Sequence, residues 1–357
     1  MSKVNFSMSV SLEETKNIIK AIGDSLTPIV VSEPGVGKST ILKMLEAEMG
    51  DEYDYIYVDC PVKDMQDIGM VIPNHTTKTL EYYVADLFKL DSPKPKVILL
   101  DEFMKSPKLL QVIFTRLMLE RMVGDVALPK GSIVFGTSNN ASDGVGDTML
   151  AHAGNRVCIV RMAKPTPTEW LEWASANGIS RVVRAWVAMF PRALASYVDG
   201  NQDDNPYIFK PNMTSLSFVS PRSLAKCDVI VRNRDVLGEN ATMCALAGTI
   251  GQSAAGDMSA FLSLEKSLTD VKDIIKKPDT IDVPQDISAQ LMIMFQAVDT
   301  LSTQDELTAF MKFVNRIPNS EVQSVFFTMM IRSPKGVRLA RNNKEISDWA
   351  IKNHELF

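Results

Sequence analysis

Residues 28–40 read Pro-Ile-Val-Val-Ser-Glu-Pro-Gly-Val-Gly-Lys-Ser-Thr. A short apolar run ends in a glycine-bearing turn, and helix-forming residues continue from Lys38 to a stop at Gly50. Strand, glycine-rich turn and helix N-terminus, in that order, let main-chain N–H groups surround a phosphate. Gly35 and Gly37 carry no Cβ to obstruct that turn. The positive end of the helix dipole adds to the attraction. Lys38 supplies a point charge for the β- and γ-phosphates, and Ser39 a hydroxyl for Mg²⁺. Glu33, Pro34, Gly35, Val36, Gly37, Lys38, Ser39 and Thr40 are therefore the expected nucleotide cradle. One position departs from G-x-x-x-x-G-K-[ST], because Ser32 stands where the motif has its first glycine. By itself the segment also reads as a glycine-rich turn with an incidental lysine.

A second element decides between those readings. Residues 97–102 are Val-Ile-Leu-Leu-Asp-Glu, an apolar run ending in two carboxylates about 60 residues after the loop. A buried strand would bring Asp101 to its carboxyl end, where ligands sit in open parallel sheets. Asp101 is then a magnesium ligand together with Ser39, and Glu102 the group that polarises an attacking water. Residues 132–137 form another apolar run, leading into Ser138, Asn139 and Asn140. Asn139 is placed to bond the γ-phosphate or orient the water, although an Asn- and Ser-rich turn also suits these residues.

Around these motifs the chain alternates. Ser11-Leu-Glu-Glu14 is a capping box opening a helix closed at Gly23. Strand candidates lie at 28–32, 55–60, 96–101, 132–137 and 157–161, and Ser106-Pro107 offers an N-cap and a first-turn proline for a helix over 107–121. The strands are continuous apolar runs without alternation, as in sheets covered on both faces. The expected fold class is α/β, a P-loop parallel sheet sandwiched by helices. After Lys164 the pattern turns helical, with capping boxes at Thr166–Glu169 and Thr303–Glu306. Irregular stretches are expected at 199–219 and 277–287. The expected division is an α/β nucleotide-binding core over 1–163, an all-α lid over 164–256 and a helical extension over 257–357.

Composition narrows the function. The 357 residues are 45% hydrophobic and 23% charged with a formal net charge of -5, which gives no basic footprint for a dedicated nucleic-acid binder. Cys60, Cys158, Cys227 and Cys244 form no Cys-x-x-Cys pair, and His75, His152 and His354 do not cluster with them. That argues against a zinc site or a disulfide framework and for buried thiols in a reducing compartment. The polar opening MSKVNFSMSV is no secretory leader, and no apolar run reaches the roughly 20 residues of a membrane span. A cytoplasmic protein is expected. Trp170, Trp173 and Trp186 read as helical core and not as a base-stacking platform.

In this ordered series the chain resembles the AAA+ ATPases, and within them the MoxR-like branch. The residues that carry the likeness are Pro34-Gly-Val-Gly-Lys-Ser39, Leu99-Leu-Asp-Glu-Phe103, Gly136-Thr-Ser-Asn139, Asn155-Arg156 before a strand, and Ser220-Pro-Arg222. The resemblance implies that Asn139 is the sensor 1 residue. It also implies that Arg156 is an arginine finger reaching a neighbouring subunit's ATP and Arg222 a sensor 2 arginine on a lid helix. In this chain Val157 stands where the family has an aromatic after the finger. An insertion within residues 68–90 is implied as well. So are a hexameric homo-oligomeric ring using ATP and Mg²⁺, and a protein substrate or von Willebrand factor A-domain partner that the ring remodels. Arg116, Arg121 and Arg161 are further candidates for a subunit boundary. Two other readings share the loop chemistry: a nucleic-acid motor or loader in replication or recombination, and a nucleotide-gated scaffold with little turnover. The acidic balance argues against the first, and intact Lys38, Asp101 and Glu102 argue against the second.

Overall fold

A computed structural model describes residues 8–140, 154–211, 216–341 and 343–352. Residues 212–215 of the expected loop, His152 and His354 lie outside the described residues. The chain divides into two compact units between Lys164 and Pro165, apart from Lys210 and Pro211, which group with the first.

In the first unit the elements run α1 (Leu12–Ile22), β1 (Thr27–Ser32), α2 (Thr40–Met49), β2 (Asp54–Asp59), β3 (Gly69–Asn74), β4 (Thr79–Val84), β5 (Lys96–Asp101), α3 (Lys108–Glu120), β6 (Met122–Val123), β7 (Val126–Ala127), β8 (Ile133–Asn139) and β9 (Val157–Arg161). Five of the strands make one sheet in the order β2-β5-β8-β1-β9, and every neighbouring pair is parallel. The continuous apolar runs are explained by burial on both faces. Val97 and Leu99 of β5 pack with Ile19, Ile41, Leu42 and Leu45 from α1 and α2. Ile98 and Leu100, between them in sequence, pack instead with Leu110, Phe114 and Leu117 of α3. Period-two side-chain geometry sends successive residues to opposite faces, and both faces here are dry.

Local signals act as their chemistry dictates. The Ser11 hydroxyl accepts from the Glu14 amide while the Glu14 carboxylate accepts from the Ser11 amide. At Gly50, φ 61 ends α2 in a conformation that costs a Cβ-bearing residue energy. Ser106 does not cap α3: Pro107 holds the N-cap position, and the Ser106 hydroxyl turns back to donate to the Phe103 carbonyl. Helix α2 begins at Thr40, two residues after Lys38, because Gly37 at φ 102 delays the helical path. Between β2 and β5, where the insertion was expected, β3 and β4 pair as an antiparallel hairpin.

The second unit comprises α4 (Pro167–Ala176), α5 (Arg181–Met189), α6 (Pro221–Arg232), α7 (Arg234–Leu237), α8 (Glu239–Ile250), α9 (Gln252–Glu265), α10 (Val271–Lys276), α11 (Ile287–Thr300), α12 (Gln304–Val314), α13 (Ser320–Arg332), α14 (Pro334–Ala340) and α15 (Lys344–Lys352). Its helices share one apolar core running from Trp170 through Phe261 to Trp349. The division expected after residue 256 falls inside α9, and the residues on either side of it contribute to that same core. Trp170 and Trp186 are buried, as read from sequence, but Trp173 is 45% exposed. The two rings remain neighbours on the helix, their centroids 6.3 Å apart, with Trp173 at the edge of the core.

A buried cation anchors this unit. Arg184 is 1% exposed, makes a two-pronged contact with Asp299, donates to the Ser175 hydroxyl and lies 5.1 Å over the Phe295 ring. The Asp299 side chain is 50% exposed, so water can solvate it once the arginine is gone. Replacing Arg184 by alanine should therefore cost about 2–3 kcal/mol, mainly through lost packing, and less than breaking a wholly buried pair. Denaturant unfolding of the full chain tests this; a loss below about 0.5 kcal/mol would contradict it.

Candidate functional site

The carboxyl ends of β1, β8 and β5 place the sequence motifs side by side. Ser32, the last residue of β1, is the register partner of Asn139 at the end of β8. Past Ser32 the chain turns through Gly35 at φ 77 and Gly37 at φ 102, both in the left-handed region that glycine enters freely. A Cβ on Gly37 would come within 3.3 Å of the Thr40 hydroxyl. The Thr40 hydroxyl donates to the Gly37 carbonyl at 2.6 Å, which fixes the turn into α2.

Lys38 is 8% exposed and folds back over the strand ends. Its Nζ donates to the Ser32 carbonyl at 3.2 Å, the Ser32 hydroxyl at 3.1 Å, the Glu33 carbonyl at 3.0 Å and Asn139 Oδ1 at 2.8 Å. The departure from the glycine motif thus has a visible consequence: the Ser32 hydroxyl is one of the oxygens that hold the lysine. Ser39 sits at the N-cap of α2, and its hydroxyl makes no capping bond.

Asp101 closes β5, the strand beside β8. Both of its carboxylate oxygens accept hydrogen bonds. The Thr137 hydroxyl of β8 donates to Oδ1, and the Tyr57 phenol of β2 donates to Oδ2 at 2.8 Å. Thr137 also accepts from the Glu102 amide at 3.1 Å, so one hydroxyl ties both acidic residues to β8. Glu102 has φ 51 and ψ 36, left-handed values uncommon for a residue with a Cβ. This turn separates the neighbours: Asp101 faces Thr137 and Tyr57, whereas the Glu102 carboxylate meets Lys105 Nζ at 2.7 Å. Loss of water around its hydroxyl, and after it the bond to Asp101, raises the Tyr57 phenol above its ordinary pKa. Burial likewise pushes the Cys60 thiol well up, which leaves it unreactive just beyond β2.

The two arginines taken from the family resemblance are both exposed. Arg156 is exposed and immediately precedes Val157, whose register partner is Thr27 at the start of β1. From there to Ser32 the sheet runs five residues, roughly 17 Å at strand rise, more than an arginine side chain spans. Arg156 therefore cannot serve the loop of its own chain. Arg222 is exposed at the second position of α6 in the second unit, where the Ser220 hydroxyl caps the helix by accepting from the Ser223 amide. Arg121 is an internal tie, donating to the Thr27 hydroxyl at 2.7 Å and the Gly23 carbonyl at 2.8 Å, and burial lowers its pKa. Arg116 pairs within its own chain with Glu120 and Asp125.

This donor set fits a magnesium nucleotide. The glycine turn leaves room for phosphate against backbone N–H groups, the ammonium stands at the strand ends, and an uncommitted hydroxyl begins the helix. Among the described residues no group of three or more His, Cys, Asp or Glu could hold a metal ion by itself. Magnesium at phosphate sites needs only one or two carboxylates plus substrate oxygens, which Asp101 and Ser39 match. Thr137, Tyr57 and Lys105 were not singled out from sequence. Thr137 was findable, since it lies two residues before Asn139 on one strand and so shares its face. Tyr57 carried no such signal, because its contact depends on how β2 pairs with β5.

No protein-family model and no curated protein matches the chain. Solved structures match at low similarity. The Thermotoga maritima RuvB Holliday junction branch migration motor is 13% identical over 78% of this chain and 78% of that one, with a TM-score of 0.38. NtrX from Brucella abortus is 12% identical over 98% of this chain and 68% of that one, with a TM-score of 0.33. Similarity at this level assigns no activity, partner or assembly to this chain. Among the described residues no helix is long and apolar enough to cross a membrane.

The four bonds to its Nζ make Lys38 the central cation of the loop. Lys38→Ala should weaken adenine-nucleotide binding at least tenfold, each tenfold being 1.4 kcal/mol. Titration with a fluorescent ATP analogue measures it, and unchanged affinity would remove the loop from nucleotide binding.

Proposed function

We propose that this chain is an AAA+ ATPase of the MoxR-like branch. Its role is that of one subunit in a hexameric ring that hydrolyses ATP with Mg²⁺ to remodel or activate a partner protein. The partner class that best suits this branch carries a von Willebrand factor A domain. One observation carries the reading: residues about 100 positions apart, Lys38 and Asn139, bond at 2.8 Å across adjacent strand ends, with the Asp101–Glu102 pair on the next strand. A glycine-rich turn serving only as a turn has no need of a polar strand end on one side and an acidic one beyond it.

In this reading the amides of residues 35–39 and Lys38 bind the β- and γ-phosphates, and Thr40 supports the turn. Ser39 and Asp101 hold the metal, which when bound neutralises charge on the phosphate oxygens. Glu102 accepts a proton from the attacking water, and Asn139 exchanges its bond with Lys38 for one to the γ-phosphate or that water. Arg156 acts on the neighbouring subunit's nucleotide, a role that its exposure and its distance from the loop of its own chain support. Arg222 is the sensor 2 arginine of this reading.

Glu102→Gln should keep nucleotide affinity within a few-fold and slow hydrolysis ~10²–10⁴-fold, read as phosphate release. Equal rates in wild type and variant would remove Glu102 from the chemistry. The trans role has its own test. Arg156→Ala and Lys38→Ala should each be nearly inactive alone, the finger by ~10³-fold or more, and their mixture should regain activity. No recovery at any mixing ratio would refute an arginine working across an interface.

A further inference from the structure

We propose that Tyr57 is a positioning residue for the metal-binding carboxylate, a part of the site that no motif describes. The inference rests on the reading of Asp101 as a magnesium ligand. Its phenol donates to Asp101 Oδ2 at 2.8 Å from β2, on the opposite side from Thr137 of β8, which donates to Oδ1. Strand β2 lies at one end of the sheet and β8 on the other side of β5, so Asp101 is gripped from both flanking strands. Asp101 is opposite Asp59 in the β2–β5 ladder, and Tyr57 is the diagonal neighbour two residues earlier, within reach of an aromatic side chain.

Packing does not account for the tyrosine. It is 46% exposed, so its ring is not a core anchor, and the hydroxyl is its specific contribution. A carboxylate offers about four lone-pair sites, and these two bonds occupy two of them. The remaining pair has its direction fixed before any metal arrives. Donors that orient a ligating group in this way typically matter 10–100-fold in metal affinity. Thr137 cannot do this alone, because its hydroxyl also accepts the Glu102 amide and a single donor leaves the carboxylate free to pivot about that bond.

The test is Tyr57→Phe in the full chain, with a fluorescent ATP analogue titrated with and without MgCl₂. Nucleotide affinity without magnesium should equal that of wild type, which also reports an intact fold. The magnesium concentration giving half of the affinity gain should rise 10-fold or more. A midpoint within twofold of wild type overturns the role of Tyr57 while leaving the nucleotide site standing. Equal losses with and without magnesium overturn it too, since the effect would then not act through the metal. A wild-type protein whose nucleotide affinity ignores magnesium overturns the reading of Asp101 itself, and this inference with it.

Discussion

The pairing of Ser32 with Asn139 across the β1–β8 ladder is the constraint on which the site depends. It sets two polar residues side by side at the end of an otherwise apolar sheet, and Lys38 closes over both. A buried ammonium is tolerable only where oxygens replace its water, and the carbonyls of Ser32 and Glu33, the Ser32 hydroxyl and the Asn139 amide oxygen do so. The loop is thus held in shape by protein oxygens gathered around one ammonium.

Two dry faces make this precision possible. The sheet is clamped between α1 and α2 on one side and α3 on the other, with alternate residues of each strand entering different cores. A slip of one residue in the register would exchange every side chain between faces and move Asn139 away from Ser32. Arg121 reinforces the arrangement from below, tying the end of α3 to the entry of β1. Polar chemistry is confined to the strand ends, where the backbone leaves the sheet and water or a ligand can enter.

The acidic half of the site shows how adjacent carboxylates acquire separate surroundings. Glu102 turns into left-handed backbone and faces Lys105, while Asp101 stays on the strand between two hydroxyls. Thr137 joins the two through its single oxygen. Adjacent in sequence, the two carboxylates thus meet different partners.

Much of this was written in the sequence. The strands at β1, β5, β8 and β9 were legible because runs such as Val97–Leu100 carry no polar residue. The capping boxes at Ser11, Thr166 and Thr303 were legible because their chemistry is local. Lys38, Ser39, Asp101, Glu102 and Asn139 were each visible as residues that end or follow a strand. What a chain segment cannot encode alone is which strand lies beside which, so Tyr57 and the hydroxyl of Thr137 emerged only when β2, β5 and β8 were seen in order. The same holds for Arg121, whose acceptors on Gly23 and Thr27 lie more than 90 residues away in sequence, and for the single core that spans residues 170 to 349. Local structure is fixed by hydrogen bonds and dihedrals within a few residues, and the sequence by itself determines these. Contacts between distant segments are selected by burial of the whole sheet or bundle, which only the folded chain decides.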